Sequence, residues 1–72
     1  MKTHELAHTL CYRYHAYRVD YDEETVWAFV QRHGGYLSIR TDSIDFWIPR
    51  EYSIFFEIAY PELTRQPELD YL

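Results

Sequence analysis

The chain has one cysteine, two glycines and three prolines in 72 residues. Cys11 has no partner for an internal disulfide, and the absence of a Cys-x-x-Cys pair suits a reducing compartment, so a cytoplasmic protein is expected. Both glycines fall at 34–35, which leaves none for a loop that cradles phosphates. No apolar run approaches the ~20 residues of a membrane span, and the first residues do not read as a signal peptide. Basic residues are also few. Seven Lys and Arg face twelve Asp and Glu, for a net charge of −5. That balance disfavours direct binding to nucleic acid and is compatible with solubility or with a basic partner. No carboxylate pair, Ser-His-Asp arrangement or phosphate loop is visible. Neither an enzyme nor a cofactor is expected.

Aromatic rings are what the chain has in excess: eight Tyr, four Phe and two Trp. A domain this short buries only ~60–65% of the surface of its unfolded chain. It cannot enclose so many rings, and Tyr and Trp concentrate at interfaces.

Hydrophobic periodicity sets the expected fold. Leu10, Tyr12, Tyr14 and Ala16 alternate with Cys11, Arg13 and His15, which predicts a strand over about 8–19 with a bulge at Ala16-Tyr17. Asp22 is placed to cap a helix, with Tyr21 stapled on Val26 and Glu23 and Glu24 in the first turn. Val26, Phe29, Val30 and His33 form the buried stripe of that helix. Gly34 ends it in the left-handed conformation, and His33 caps its last carbonyls. Leu37 and Ile39 mark a second strand, and Thr41-Asp42-Ser43 a hairpin turn. Ile44, Phe46 and Ile48 mark a third. Tyr52, Ile54, Phe56, Ile58 and Tyr60 alternate as a fourth, after a turn at Pro49-Arg50-Glu51. The expected fold is α+β: a single small domain over 1–60, in the order β-α-β-β-β, with one helix on a mostly antiparallel four-stranded sheet. Residues 61–72 form a proline-containing C-terminal tail with Pro-Glu-Leu at 61–63 and again at 67–69. At most a short helical turn is expected there.

His4-Glu5-Leu6-Ala7-His8 resembles the His-Glu-x-x-His motif of the zincin metallopeptidases. In that family the two histidines bind zinc one helical turn apart and the glutamate is the general base. The resemblance covers five residues. The metzincin extension would require Gly at 11 and His at 14, where this chain has Cys11 and Tyr14. A non-catalytic zinc site is an alternative, since His4, His8, Cys11 and His15 would share one face of a helix. Strand alternation from Leu10 onward works against that helix.

One helix covers one face of a sheet. The other face is expected to carry Arg13, His15, Tyr36, Arg40, Trp47, Phe55 and Glu57, with Trp47 and Phe55 as a contiguous apolar patch among charges. The leading expectation is a non-enzymatic, acidic protein-binding module, an inhibitor or adaptor of the kind phages and mobile elements encode, that docks a protein or a second copy through this face. The tail offers a competing role for the face, because Leu63 and Leu69 can fold back over it. A further alternative is an acidic nucleic-acid mimic, in which Asp20, Asp22, Glu23, Glu24, Glu62, Glu68 and Asp70 stand in for phosphates.

Overall fold

The computed structural model describes residues 9–70. It has two α-helices and a four-stranded antiparallel sheet, which makes it an α+β fold. Strand β1 spans Thr9–Tyr14, helix α1 Glu23–Arg32, β2 Tyr36–Ile39, β3 Ile44–Pro49, helix α2 Ser53–Ala59 and β4 Thr64–Arg65. Three-residue 3-10 turns lie at Ala16–Arg18, Arg50–Tyr52 and Pro67–Leu69. The strand order is β2-β3-β1-β4. Six consecutive pairs join β1 to β3, from Thr9 opposite Pro49 to Tyr14 opposite Ile44.

Helix α1 forms where the sequence places it. Asp22 is its N-cap: the carboxylate accepts from the Thr25 backbone N–H at 3.0 Å and from the Thr25 hydroxyl at 2.7 Å. These bonds hold the Asp22 carboxyl below its ordinary pKa of 3.8. Val26 and Val30 are fully buried under the helix, and His33 Nδ1 lies 2.9 Å from the Phe29 carbonyl oxygen. Gly34 takes a left-handed φ of 83°. The β2–β3 hairpin closes through a 2.8 Å bond from the Arg40 N–H to the Ser43 carbonyl.

Three expectations are corrected. The first strand ends at Tyr14 rather than near Val19. A 3-10 turn replaces the bulge, leaving Tyr17 76% exposed while Val19 still packs on the core. The run from Tyr52 to Tyr60 is helical over Ser53–Ala59, so the order is β-α-β-β-α-β with two helices. Tyr52, Phe56 and Tyr60 are spaced by four, and that spacing serves a helix as well as a strand. Phe56 is fully buried, while Ile54 and Ile58, expected in the core, are 68% and 74% exposed. The fourth strand comes instead from the tail, where Tyr12 pairs with Arg65 and Arg13 with Thr64. Leu63, just before it, is buried in the core, and the short helical turn expected in the tail is the one at Pro67–Leu69.

Both helices lie on one face of the sheet, over Leu10, Tyr12, Tyr14, Phe46 and Ile48. They run antiparallel: His33 at the end of α1 meets Tyr52 before α2, and Tyr60 after α2 meets Tyr21 before α1. Phe56 packs on Tyr12 at 4.9 Å and on Phe29 at 5.6 Å between ring centroids.

The two glycines carry different constraints. A methyl group on Gly34 meets nothing within 4 Å, whereas one on Gly35 would overlap the Trp47 carbonyl oxygen and press to 2.6 Å from a Val30 methyl. Gly35→Ala is therefore expected to destabilise by about 3 kcal/mol. Gly34→Ala pays for its positive φ alone, about 1 kcal/mol. Urea unfolding of both variants checks this, and equal losses would contradict the close approach of the backbone to Val30.

Candidate functional site

The outer face of the sheet, away from the helices, carries Arg13, Tyr36 and Trp47 of the seven residues singled out in the sequence, while His15 and Arg40 directly follow β1 and β2. Register sets the strand residues in two rows. Tyr36, Trp47 and Cys11 lie opposite one another across β2, β3 and β1, and Ser38, Asp45 and Arg13 form the next row.

The first row is apolar and closed. Tyr36 stacks on Trp47 with centroids 5.1 Å apart and ring planes 11° from parallel. Trp47 is only 3% exposed, and its indole N–H donates to the Leu69 carbonyl at 2.8 Å. The tail thus passes round the β1 edge of the sheet, from Leu63 in the helical core to Leu69 against the outer face. Cys11 is fully buried in the same row. Burial, reinforced by the Asp45 charge, pushes its thiol up to about 12, so it stays protonated and is a poor nucleophile or metal ligand near neutral pH.

The second row is ionic. Asp45, 2% exposed, accepts from Arg13 Nε at 2.7 Å and Nη2 at 3.1 Å. Arg40 reaches the same carboxylate at 3.4 Å. A buried carboxylate needs such partners, and a planar guanidinium supplies two parallel bonds. His15 follows β1 with its ring 5.5 Å from Tyr17. His15 Nδ1 and the Tyr36 hydroxyl are buried without a hydrogen-bond partner.

The clasp of the tail is also ionic. Asp70 binds Arg65 in bidentate fashion, at 2.7 and 3.0 Å. One of its oxygens also accepts from the Cys11 backbone N–H at 2.9 Å, while the Gln66 N–H donates to the Cys11 carbonyl. Beyond the two residues of β4, a side chain therefore does what a strand would do for the β1 edge. Burial works to raise the Asp70 carboxyl, but Arg65 and the Cys11 N–H outweigh it and hold the group below its ordinary 3.8.

Phe55 and Glu57, the other two residues expected on the sheet face, lie on α2 instead. Glu57 accepts a 2.5 Å bond from the Tyr12 hydroxyl. Burial first, and this bond second, push the Tyr12 phenol upward. Phe55 is 61% exposed between Ile54 and Ile58. At 3.6 residues per turn, Ile54, Phe55, Ile58 and Ala59 fill one outward arc of about 140°, and all four are exposed. The exposed positions of α1 are Glu23, Glu24, Thr25, Ala28, Gln31 and Arg32, the polar set normal for a surface helix. Sequence reasoning missed this patch because Ile54 and Ile58 were assigned to the core. The available signal was that a helix through 53–59 would carry Glu57 as its one charged residue, with 54, 55, 58 and 59 all apolar.

His4, Glu5 and His8 lie outside the described residues. Among the described residues no group of three His, Cys, Asp or Glu is placed to hold a metal ion. Of the acidic residues that a nucleic-acid mimic would use, Asp22 caps α1, Glu62 accepts from the Tyr21 hydroxyl and Asp70 closes the tail. Asp20, Glu23, Glu24 and Glu68 are exposed. No helix among the described residues is long and apolar enough to cross a membrane. No protein-family model, curated protein or solved structure matches the chain.

The clasp makes stability depend on acid. The Asp70 pKa is lower in the folded than in the unfolded chain, so its contribution is complete above pH ~4 and is lost as pH falls through the folded value. Asp70→Asn should cost about 1–2 kcal/mol at pH 7, the scale of a charge-assisted bond to a part-buried group. It should also flatten the fall in stability below pH ~4. Denaturant titrations at pH 7 and pH 3 test both, and an undiminished acid dependence in the variant would remove Asp70 as its source.

Proposed function

We propose that this chain is a non-enzymatic protein-binding module that docks through the outward face of α2. The observation that supports it is the unbroken apolar arc of Ile54, Phe55, Ile58 and Ala59 on a helix that is otherwise well packed by Phe56. Scattered exposed apolar residues need no explanation, but a contiguous patch on a small acidic domain marks an interaction surface. An inhibitor or adaptor needs such a surface and no catalytic group.

The contact moves away from the sheet. Trp47 cannot offer its ring to a partner while Leu69 and Tyr36 enclose it. Arg13 and Arg40 are turned onto Asp45. Of the residues first assigned to the contact, Phe55 carries the proposal, with Ile54 and Ile58 beside it and Glu57 at the flank.

A photo-crosslinking amino acid at position 55, in cells that express the chain, should yield a discrete protein adduct, while the same probe at Gln31 on the polar face of α1 should not. Phe55→Asp should abolish binding yet change stability by no more than about 0.5 kcal/mol, as expected for an exposed site. Equal labelling from positions 55 and 31 would remove the α2 face as the docking surface.

A further inference from the structure

The chain after Leu63 is held differently from the chain before it. Among the described residues, Leu63 is the last that belongs to the apolar core or packs against it. From Thr64 to Asp70 every residue is half-buried or exposed. Polar bonds hold this stretch instead. The Gln66 N–H donates to the Cys11 carbonyl at 2.9 Å, and Arg65 Nη1 donates to the same oxygen at 3.3 Å. Asp70 accepts from the Cys11 N–H and from Arg65, and the Leu69 carbonyl accepts from the Trp47 indole. When a segment lifts, such bonds are exchanged for bonds to water, so each contributes little net. A segment with few buried apolar contacts belongs to the low-stability end of a fold. What stays behind is complete without it. β1 keeps its pairs with β3, β3 keeps its pairs with β2, and both helices keep their core. Leu63, buried in that core, fixes the near end of the segment.

We infer that residues 64–70 form a strap that opens as one unit, hinged after Leu63, while both helices and the other three strands stay folded. Asp70 joins the far end of the strap to Cys11 and to Arg65 at once, which makes the opening all-or-none rather than a fraying from the end. Opening turns β1 into an edge strand, with the Cys11 N–H and carbonyl facing water. It also takes from Trp47 the carbonyl that helps to enclose its indole. The closed strap therefore keeps a strand edge, and the aromatic ring beside it, out of reach of other chains.

Hydrogen exchange of the full chain, read by NMR, tests this. The Cys11 and Gln66 amides and the Trp47 indole N–H should share one protection factor, at least about tenfold below that of the Val30 amide in α1. In low urea the shared value should stay nearly flat while that of Val30 falls. Asp70→Asn should lower the shared value at least about fivefold. Val26→Ala, inside the core, should lower the protection of Val30 and leave the strap hydrogens unchanged. Unequal values among the strap hydrogens, protection equal to that of Val30, or indifference to Asp70→Asn overturns the inference, as do strap hydrogens that follow Val26→Ala. If Val26→Ala does not fold, the urea dependence of the unaltered chain decides alone, and a slope equal to that of Val30 overturns the inference.

Discussion

Strand β1 constrains everything around it, because it is buried on both faces. Leu10, Tyr12 and Tyr14 point into the helical core at 7%, 2% and 3% exposure, and Thr9 and Cys11 on the other side are at 5% and 0%. A chain of 72 residues must therefore cover a central strand twice. The two helices cover one side, with Phe56, Val26 and Val30 as the filling. The other side is closed from two directions. The Tyr36–Trp47 stack comes from neighbouring strands, and the Leu69 carbonyl comes from the end of the chain.

That second layer explains why the tail is tied with charge rather than with a long strand. β4 offers only Thr64 and Arg65 to the β1 edge. The Cys11 N–H, one pair beyond, would be left without a partner, and a buried amide without one costs about 1–3 kcal/mol. Asp70 supplies the acceptor, and Arg65 neutralises the charge that Asp70 brings. Arg65 also lies 5.4 Å from the centre of the Tyr12 ring, so one guanidinium serves the ion pair and the core edge together. The Asp45 cluster repeats the solution one row away: a carboxylate buried for register, held by Arg13 and Arg40.

Much of this was legible from residue patterns, and what was not has a definite cause. The cap at Asp22, the stop at Gly34 and the β2–β3 hairpin were readable because each depends on local chemistry. The α+β class and three of the four strands followed from alternation over 10–14, 37–39 and 44–48; the fourth strand was expected over 52–60, where Ser53–Ala59 is helical, and comes from Thr64–Arg65 instead. The tail's pairing with β1 was not readable, since Thr64-Arg65 is too short for a period and its partner is more than fifty residues away. On the site, the sequence placed Arg13, Tyr36 and Trp47 on one sheet face, and the register does bring them together, with Asp45 beside them. The enclosure of Trp47 was legible only as the competing role of the face, with Leu63 and Leu69 folding back over it; Leu69 does reach it, through its backbone carbonyl, whereas Leu63 is buried in the helical core.

Helix α2 was misread for the same reason that it is of interest. Periodicity identifies a surface helix by the contrast between an apolar stripe and a polar one. Tyr52, Phe56 and Tyr60 supply the apolar stripe, but Ile54, Phe55, Ile58 and Ala59 erase the polar one, and what remains looks like a strand buried on one side. The stability of a monomer does not require that loss of contrast. The core contact is made by Phe56, and Lys, Glu or Gln at 54, 55 and 58 would hold a helix at least as well by intrinsic propensity. Three large apolar side chains in water gain nothing from folding until something covers them. Under the proposed binding reading, a contact outside the single chain accounts for their presence, and the limited length of the patch accounts for its being tolerated. It is bounded by Glu51 and Arg50 before the helix, by Glu57 on one flank and by Pro61 after it. With charge on its flank and at its start, proline at its end and no free strand edge within it, the surface suits one short specific contact better than open-ended aggregation.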